Sequence, residues 1–155
     1  MGLQENIRTE PVASLKIRDA LTVTAATVVR DAVQLMRDRN LGCVFVIDED
    51  RKPKGIFNES ILNEILAHNP SAMEETVEKH LARCPWVRST DPIADVLEAM
   101  QLKNVRFLCV VDEQDRVVGV TGQRGLMEFV ADHFPDQVMV QRVGQSSCLS
   151  DREGA

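Results

Sequence analysis

The chain has 155 residues, 44% of them hydrophobic and 27% charged, which suits a soluble globular protein long enough to bury a real core. Its net charge of −6, from 18 basic and 24 acidic residues, argues against a dedicated nucleic-acid surface, which needs a basic face. No apolar stretch reaches membrane-spanning length, and Met1 to Pro11 is too polar for a signal peptide, so the expected setting is the reducing cytoplasm, away from membranes.

In chain order, residues 1–11 read as an N-terminal arm, and Leu15, Ile17 and Leu21 form an apolar lead-in. A short extended piece, Leu21 to Thr24, runs to a helix start with Thr27 as its cap. Val29, Ala32, Val33 and Met36 then recur at helical spacing, and the pattern stops near Asn40. The continuous apolar run from Cys43 to Ile47 suits a strand buried on both faces. A polar turn from Asp48 to Lys54 leads to a second strand ending Gly55-Ile56-Phe57, and a helix follows from about Ser60 to His68. Pro70 lies just beyond it, where proline cannot continue a helix, and residues 69–75 read as a linker.

The second half repeats the plan. Val77 and Leu81 lead in, and Trp86 to Arg88 is extended. Asp91 and Pro92 suggest an N-cap with proline at the first helical position. Ile93, Val96, Leu97 and Met100 mark the helix, which stops near Asn104. Phe107 to Val111 and Val117 to Thr121 are the strands, separated by a turn from Asp112 to Arg116; a helix runs from about Arg124 to His133, with Pro135 beyond it. The last stretch, 136–155, is a polar tail.

The halves superpose in sequence at an offset of 64 residues. Identities include Val23/Val87, Asp31/Asp95, Met36/Met100, Asn40/Asn104, Asp48/Asp112, Gly55/Gly119 and Leu62/Leu126. This is the signature of an internal repeat. The fold class expected is α/β (α+β): two tandem βαββα units, residues 12–68 and 76–135, related by a pseudo-twofold axis. A single unit would expose too much apolar sheet, and two sheets face to face hide each other.

The run Val44-Phe45-Val46-Ile47-Asp48-Glu49…Gly55-Ile56-Phe57, matched by Leu108-Cys109-Val110-Val111-Asp112-Glu113…Gly119-Val120-Thr121, resembles a tandem pair of cystathionine-β-synthase-type (CBS) domains, a Bateman module of the stand-alone kind. The resemblance implies a non-catalytic regulatory module, a homodimer, and clefts between the repeats for AMP, ADP, ATP or S-adenosylmethionine, with no cofactor required. The effector protein is not specified by the sequence. A structural adaptor with degenerate clefts is the alternative.

The family's ligand sites carry Gly-apolar-apolar-Thr/Ser-x-x-Asp, whose Asp holds the ribose hydroxyls. Here the segments read Gly55-Ile56-Phe57-Asn58-Glu59-Ser60-Ile61 and Gly119-Val120-Thr121-Gly122-Gln123-Arg124-Gly125, so Ile61 and Gly125 replace the carboxylate in both repeats. Losing a charge-assisted hydrogen bond of about 1.5–3 kcal/mol weakens a nucleotide by about 10- to 100-fold. A helix start beside Gly122 and Gly125 would still suit an anion approaching the backbone. The resemblance marks Val23, Val44, Asn58, Arg88, Ser89, Arg106, Leu108, Thr121, Gly122 and Arg124 as ligand-site candidates, with an anionic ligand favoured around Arg88, Arg106 and Arg124. The plainer reading of those arginines is solvated surface charge paired with Asp and Glu.

Sharper chemistry finds little support. The four cysteines show no C-x-x-C spacing; Cys43 and Cys109 read as buried thiols, Cys84 as partly exposed, and Cys148 as part of the tail. His68, His80 and His133 are scattered, without zinc spacing. Asp48-Glu49-Asp50 lacks the glycine and terminal glutamate of a calcium loop and reads as a hairpin turn. Met36 and Met100 read as core, and Gly55 and Gly119 as marks of strand geometry.

Overall fold

The computed structural model describes residues 2–133. Helix α1 (Leu3–Thr9) opens the chain, so part of the arm is helical, and Ile7 packs against the second repeat's core. The first repeat then runs β1 (Thr22–Thr24), α2 (Val29–Arg39), β2 (Cys43–Ile47), β3 (Pro53–Asn58) and α3 (Glu59–His68). The second runs β4 (Trp86–Arg88), α4 (Ile93–Lys103), β5 (Phe107–Val111), β6 (Val117–Gly122) and α5 (Gln123–His133). Pro135, the tail and Cys148 lie outside the described residues.

Each repeat folds its strands into one three-stranded sheet, ordered β1-β2-β3 and β4-β5-β6. The outer short strand is parallel to the central one and the hairpin partner is antiparallel. Identical residues hold identical places. Asn40 and Asn104 end α2 and α4 in the left-handed region, at φ 52° and 49°, which asparagine tolerates better than most side chains. Asp48 Oδ1 accepts from the N–H groups of Asp50 and Lys52, and Asp112 Oδ1 from those of Gln114 and Arg116. Both acidic runs are therefore hairpin turns, as their sequence suggests.

Because side chains alternate along a strand, β2 sends Val44 and Val46 toward the helices and Cys43 and Phe45 toward the other sheet. β5 does the same with Leu108 and Val110 against Cys109 and Val111. Three apolar layers result. One lies under α2 and α3, one under α4 and α5, and one between the sheets. Phe45 at 1% and Phe57 at 0% exposure anchor two of them, each stabilising by about 1.5–3 kcal/mol over an exposed ring.

The segments between these units cross over. Val12 and Leu15 pack into the second repeat's core, and Val77 into the first. Ile17 and Arg18 pass over Gly119, where an added Cβ would stand 2.2 Å from Ile17 Cγ2 and 2.7 Å from the Arg18 carbonyl. Leu81 and Ala82 pass over Gly55 in the same way, at 2.9 Å. These glycines therefore serve a close crossing of chains. Residues 69–75 are not bare connection either: Pro70–Glu74 forms a 3₁₀ turn whose Ala72 is wholly buried in the first core.

The helix starts differ from expectation. Pro92 and Val28, both extended, hold the cap positions of α4 and α2, with no side-chain cap bond. Asp91 instead accepts from the Arg88 N–H at 2.9 Å, and Thr27 Oγ1 lies 3.4 Å from Thr24 Oγ1. The missing cap is compensated by the crossing segments: Val29 N–H donates to Glu75 O, and Ile93 N–H to Glu10 O. No helix among the described residues is long and apolar enough to cross a membrane.

Candidate functional site

Two clefts flank the inter-sheet layer, with cavity volumes of about 620 and 670 Å³, within the range of small-molecule sites. They share a wall made by Gly42 and residues 104–107, so Arg106 borders both.

The first cleft is basic. The start of α5 reaches it through Gln123, Arg124 and Gly125. The crossing segment brings Lys16 and Arg18, held by paired backbone bonds between Arg18 and Val120 of 3.1 and 2.9 Å. With Arg106 this puts four cationic residues along the cleft, and no Asp or Glu is among its described lining residues. Arg124 Nε lies 3.7 Å from Glu128 Oε1 one turn along its helix. Lys16, Arg18 and Arg106 form no side-chain ion pair among the described residues. Thr121, 5% exposed, also lines this cleft, and its buried Oγ1 has no hydrogen-bond partner among the described residues. Such a group is uncommon in folded proteins. Helix-start N–H groups beside it add a favourable field for an anion.

The second cleft is mixed. Asn58 caps α3, its Oδ1 accepting from Ile61 N–H at 3.0 Å, so this helix start satisfies one of its own donors. The Glu59 carboxylate stands 3.4 Å from where a Cβ on Gly42 would be, facing a cleft that also holds Arg83 and Arg106. A carboxylate at that position repels an anion.

Of the sequence candidates, Arg106, Thr121, Gly122 and Arg124 come together in the basic cleft, and Asn58 lines the mixed one. Val23, Val44 and Leu108 do not reach either cleft: they are buried under the helices. Arg88 stands apart as well. It bonds Asp115 at 2.8 Å and lies over the Trp86 ring, 4.9 Å from its centroid. For Arg88 the plainer reading of a surface ion pair describes its surroundings. Ser89 lines neither cleft, and its main chain bonds Ala13 and Val111. The glycines do not open the backbone as expected: a Cβ at Gly122 would stand 2.5 Å from Arg106 O, and one at Gly125 would stand 2.7 Å from Thr121 Oγ1. Protein atoms already fill those spaces.

Sequence reasoning missed Lys16 and Arg18. Their signal is the alternation Leu15-Lys16-Ile17-Arg18, which puts both charges on the face opposite the apolar pair. It also missed that Met100 borders the basic cleft while packing on the second core. No group of three or more His, Cys, Asp or Glu among the described residues is arranged to hold a metal ion.

Comparison with known proteins agrees with this architecture. The model of the CBS domain matches residues 12–68 and again 79–132. Among curated relatives, a homoserine O-acetyltransferase of Methanosalsum zhilinae is 24% identical over 85% of this chain and 26% of its own length. The glycine betaine/carnitine/choline transport ATP-binding protein OpuCA of Bacillus subtilis is 22% identical over 79% of this chain and 31% of its own. The chain thus spans about a third or less of these relatives. Among solved structures, the CBS domain pair of protein MJ0100, in complex with 5′-methylthioadenosine and S-adenosyl-L-methionine, superposes with a TM-score of 0.69 at 21% identity, covering 80% of this chain and 98% of that one. The CBS domain protein PAE2072 from Pyrobaculum aerophilum, complexed with AMP, gives 0.68 at 18% identity, covering 78% and 98%. At such identities the likeness establishes the fold.

Proposed function

The chain belongs to the CBS domain family, and on that premise we propose that it is a non-catalytic regulatory module sensing a phosphate-bearing adenosyl ligand in its basic cleft. The observation that carries this reading is the convergence of Lys16, Arg18, Arg106 and Arg124 on a cleft without a lining carboxylate. The adenosyl ligands of the MJ0100 and PAE2072 pairs support the ligand class.

Charge then orders the ligands. A di- or triphosphate gains charge-assisted bonds of about 1.5–3 kcal/mol each, whereas the cationic sulfonium of S-adenosylmethionine is repelled. With Ile61 and Gly125 where the ribose carboxylate would stand, the phosphate end supplies most of the affinity. Binding draws the crossing segment (Lys16, Arg18), the shared wall (Arg106) and the start of α5 (Arg124) toward one ligand. It thereby favours one packing of the repeats, by no more than the ligand's differential affinity for it.

The module works in the cytoplasm as a homodimer that conveys this shift to an effector protein. Exposed apolar side chains on four helices support self-association: Leu35, Leu66, Leu102 and Met127. The longer relatives, an acetyltransferase and a transport ATP-binding protein, support an enzyme or transporter as effector. The alternative, an adaptor acting by protein contacts alone, is favoured by the absence of a ribose carboxylate in both repeats.

Melting temperature measured with millimolar AMP, ADP, ATP, S-adenosylmethionine and NADH separates the two. Ligand at 100 times its dissociation constant stabilises the fold by about 2.7 kcal/mol. The sensing reading expects ADP and ATP to raise the midpoint most; no rise with any of the five favours the adaptor.

A further inference from the structure

Three thiols gather at the layer between the sheets: Cys43 and Cys109 are buried in it, and half-buried Cys84 packs against the same layer. At the 64-residue offset, Ala20 and Phe45 hold the places of Cys84 and Cys109, so only the second repeat has two thiols at this point. The backbone brings them close. Trp86 pairs with Cys109 in the parallel ladder, and the Pro85 carbonyl accepts from the Cys109 N–H at 3.1 Å and from the Cys84 thiol at 3.8 Å. From this convergence we propose that Cys84 and Cys109 are a reversible redox pair, closed to a disulfide by a hydroperoxide and reopened by a dithiol reductant.

The roles within the pair differ. The hydrogen bond from Cys109 holds the Cys84 thiol below its ordinary value against the opposing effect of burial, which favours the nucleophilic thiolate. The same bond, together with burial, pushes the Cys109 thiol up; Cys109 is wholly buried and Cys84 half-buried, so a peroxide reaches Cys84 first. Cys84 attacks one peroxide oxygen; the O–O bond breaks, and the departing hydroxide takes a proton to leave as water. Cys84 is then a sulfenic acid. Cys109 attacks its sulfur, the S–S bond forms as the S–O bond breaks, and the released hydroxide leaves as water with the Cys109 proton. Two thiols and one hydrogen peroxide give one disulfide and two waters. Reduction by a dithiol runs through a mixed disulfide and returns both thiols.

The bond would matter where it lies. Ala82, Arg83 and Pro85 around Cys84 line the mixed cleft, and Ala82 is bridged to Ile56 of the other sheet. Tying Cys84 to the central strand β5 would fix that wall in place. The mixed cleft would thereby respond to redox state, independently of any ligand in the basic cleft.

Trypsin places each cysteine on its own peptide: 40–51, 84–88, 107–116 and 143–152 for Cys43, Cys84, Cys109 and Cys148. The full chain, reduced and then treated with one equivalent of hydrogen peroxide, is blocked at its remaining thiols and digested. The proposal expects peptides 84–88 and 107–116 to be joined, with a loss of about 2 Da from the intact chain and reversal by dithiothreitol. It also expects a thermal midpoint about 5 °C higher in the oxidised protein. Cys84→Ser should abolish the link, and Cys43→Ser should leave it. Because Cys109→Ser alters a buried site, half-buried Cys84 is the deciding position. Oxidation that appears at Cys148 while Cys84 and Cys109 stay reduced would overturn the proposal. So would a dominant link from Cys84 to any cysteine other than Cys109.

Discussion

Val12 and Val77 occupy matching places in opposite cores. Both are fully buried; Val12 N–H donates to Asp91 O at 2.7 Å, and Val77 N–H to Thr27 O at 2.8 Å. The Val77 bond ties the first repeat to the segment that follows it. The Val12 bond spans about half of the chain and joins the N-terminal segment to the second repeat. The same segment then delivers Lys16 and Arg18 to the basic cleft, so the fold of the second repeat and the charge of its cleft rest on one stretch of chain.

Val12→Ala should therefore destabilise the protein about as much as Val77→Ala, by about 2 kcal/mol each from lost burial and the cavity left behind. Urea unfolding is the check: the midpoint should fall with the slope unchanged. A negligible effect at Val12 would show that the N-terminal segment is not part of the second core.

Gly119→Ala should cost more than Gly55→Ala. The new methyl at 119 meets Ile17 Cγ2 and the Arg18 backbone, and the one at 55 meets Leu81 and the Ala82 carbonyl at longer range. Overpacking of this kind costs about 1–3 kcal/mol, and Gly119→Ala should also weaken nucleotide binding by displacing Arg18. Thermal melts with and without ATP read both effects.

Asn58→Ala removes the cap on α3 and should cost about 1 kcal/mol. Asn58→Asp should restore most of it, because a carboxylate can accept the same Ile61 N–H. Equal losses in the two variants would mean that the cap bond contributes nothing.

Burial, aided by the neighbouring Cys84 and Glu59, pushes the Cys43 thiol up from 9.0 to about 12. Above pH 9 the unfolded chain loses this proton while the folded chain keeps it. The stability contributed by Cys43 is therefore complete below pH 9 and falls as pH rises toward 12, by about 1.4 kcal/mol per pH unit. Denaturant midpoints of Cys84→Ser and Cys43→Ala/Cys84→Ser chains across pH 8–11 compare it without the Cys84 neighbour, since lysines titrate alike in both and the chain has no tyrosine to add its own titration. A stability difference independent of pH would contradict the burial of this thiol.

The repeat was legible because the same residues recur where backbone geometry constrains them: Asn40 and Asn104 at left-handed helix ends, and Asp48 and Asp112 bonding the N–H groups of their hairpins. The central strands were legible because they are apolar on both faces. What stayed hidden is relational. Nothing local to Leu15 or Val12 says that they serve a core more than 70 residues away. Arg88 has the residue type of a ligand group, yet its partners are Asp115 and the Trp86 ring, which its own stretch of sequence does not announce. Asp91-Pro92 has the composition of a helix cap, but the Glu10 carbonyl of the crossing chain accepts from the Ile93 N–H, and the Asp91 carboxylate accepts from the Arg88 N–H instead.

The basic cleft is tested most directly by calorimetric titration of ATP and S-adenosylmethionine into the parent chain, Arg106→Ala and Arg124→Ala at two salt concentrations. The account predicts that ATP binds the parent chain more tightly than S-adenosylmethionine does, and that added salt weakens the ATP interaction. Each arginine replacement should lower ATP affinity by about 10- to 100-fold. Tighter binding of S-adenosylmethionine, or ATP affinity indifferent to both replacements, would contradict it.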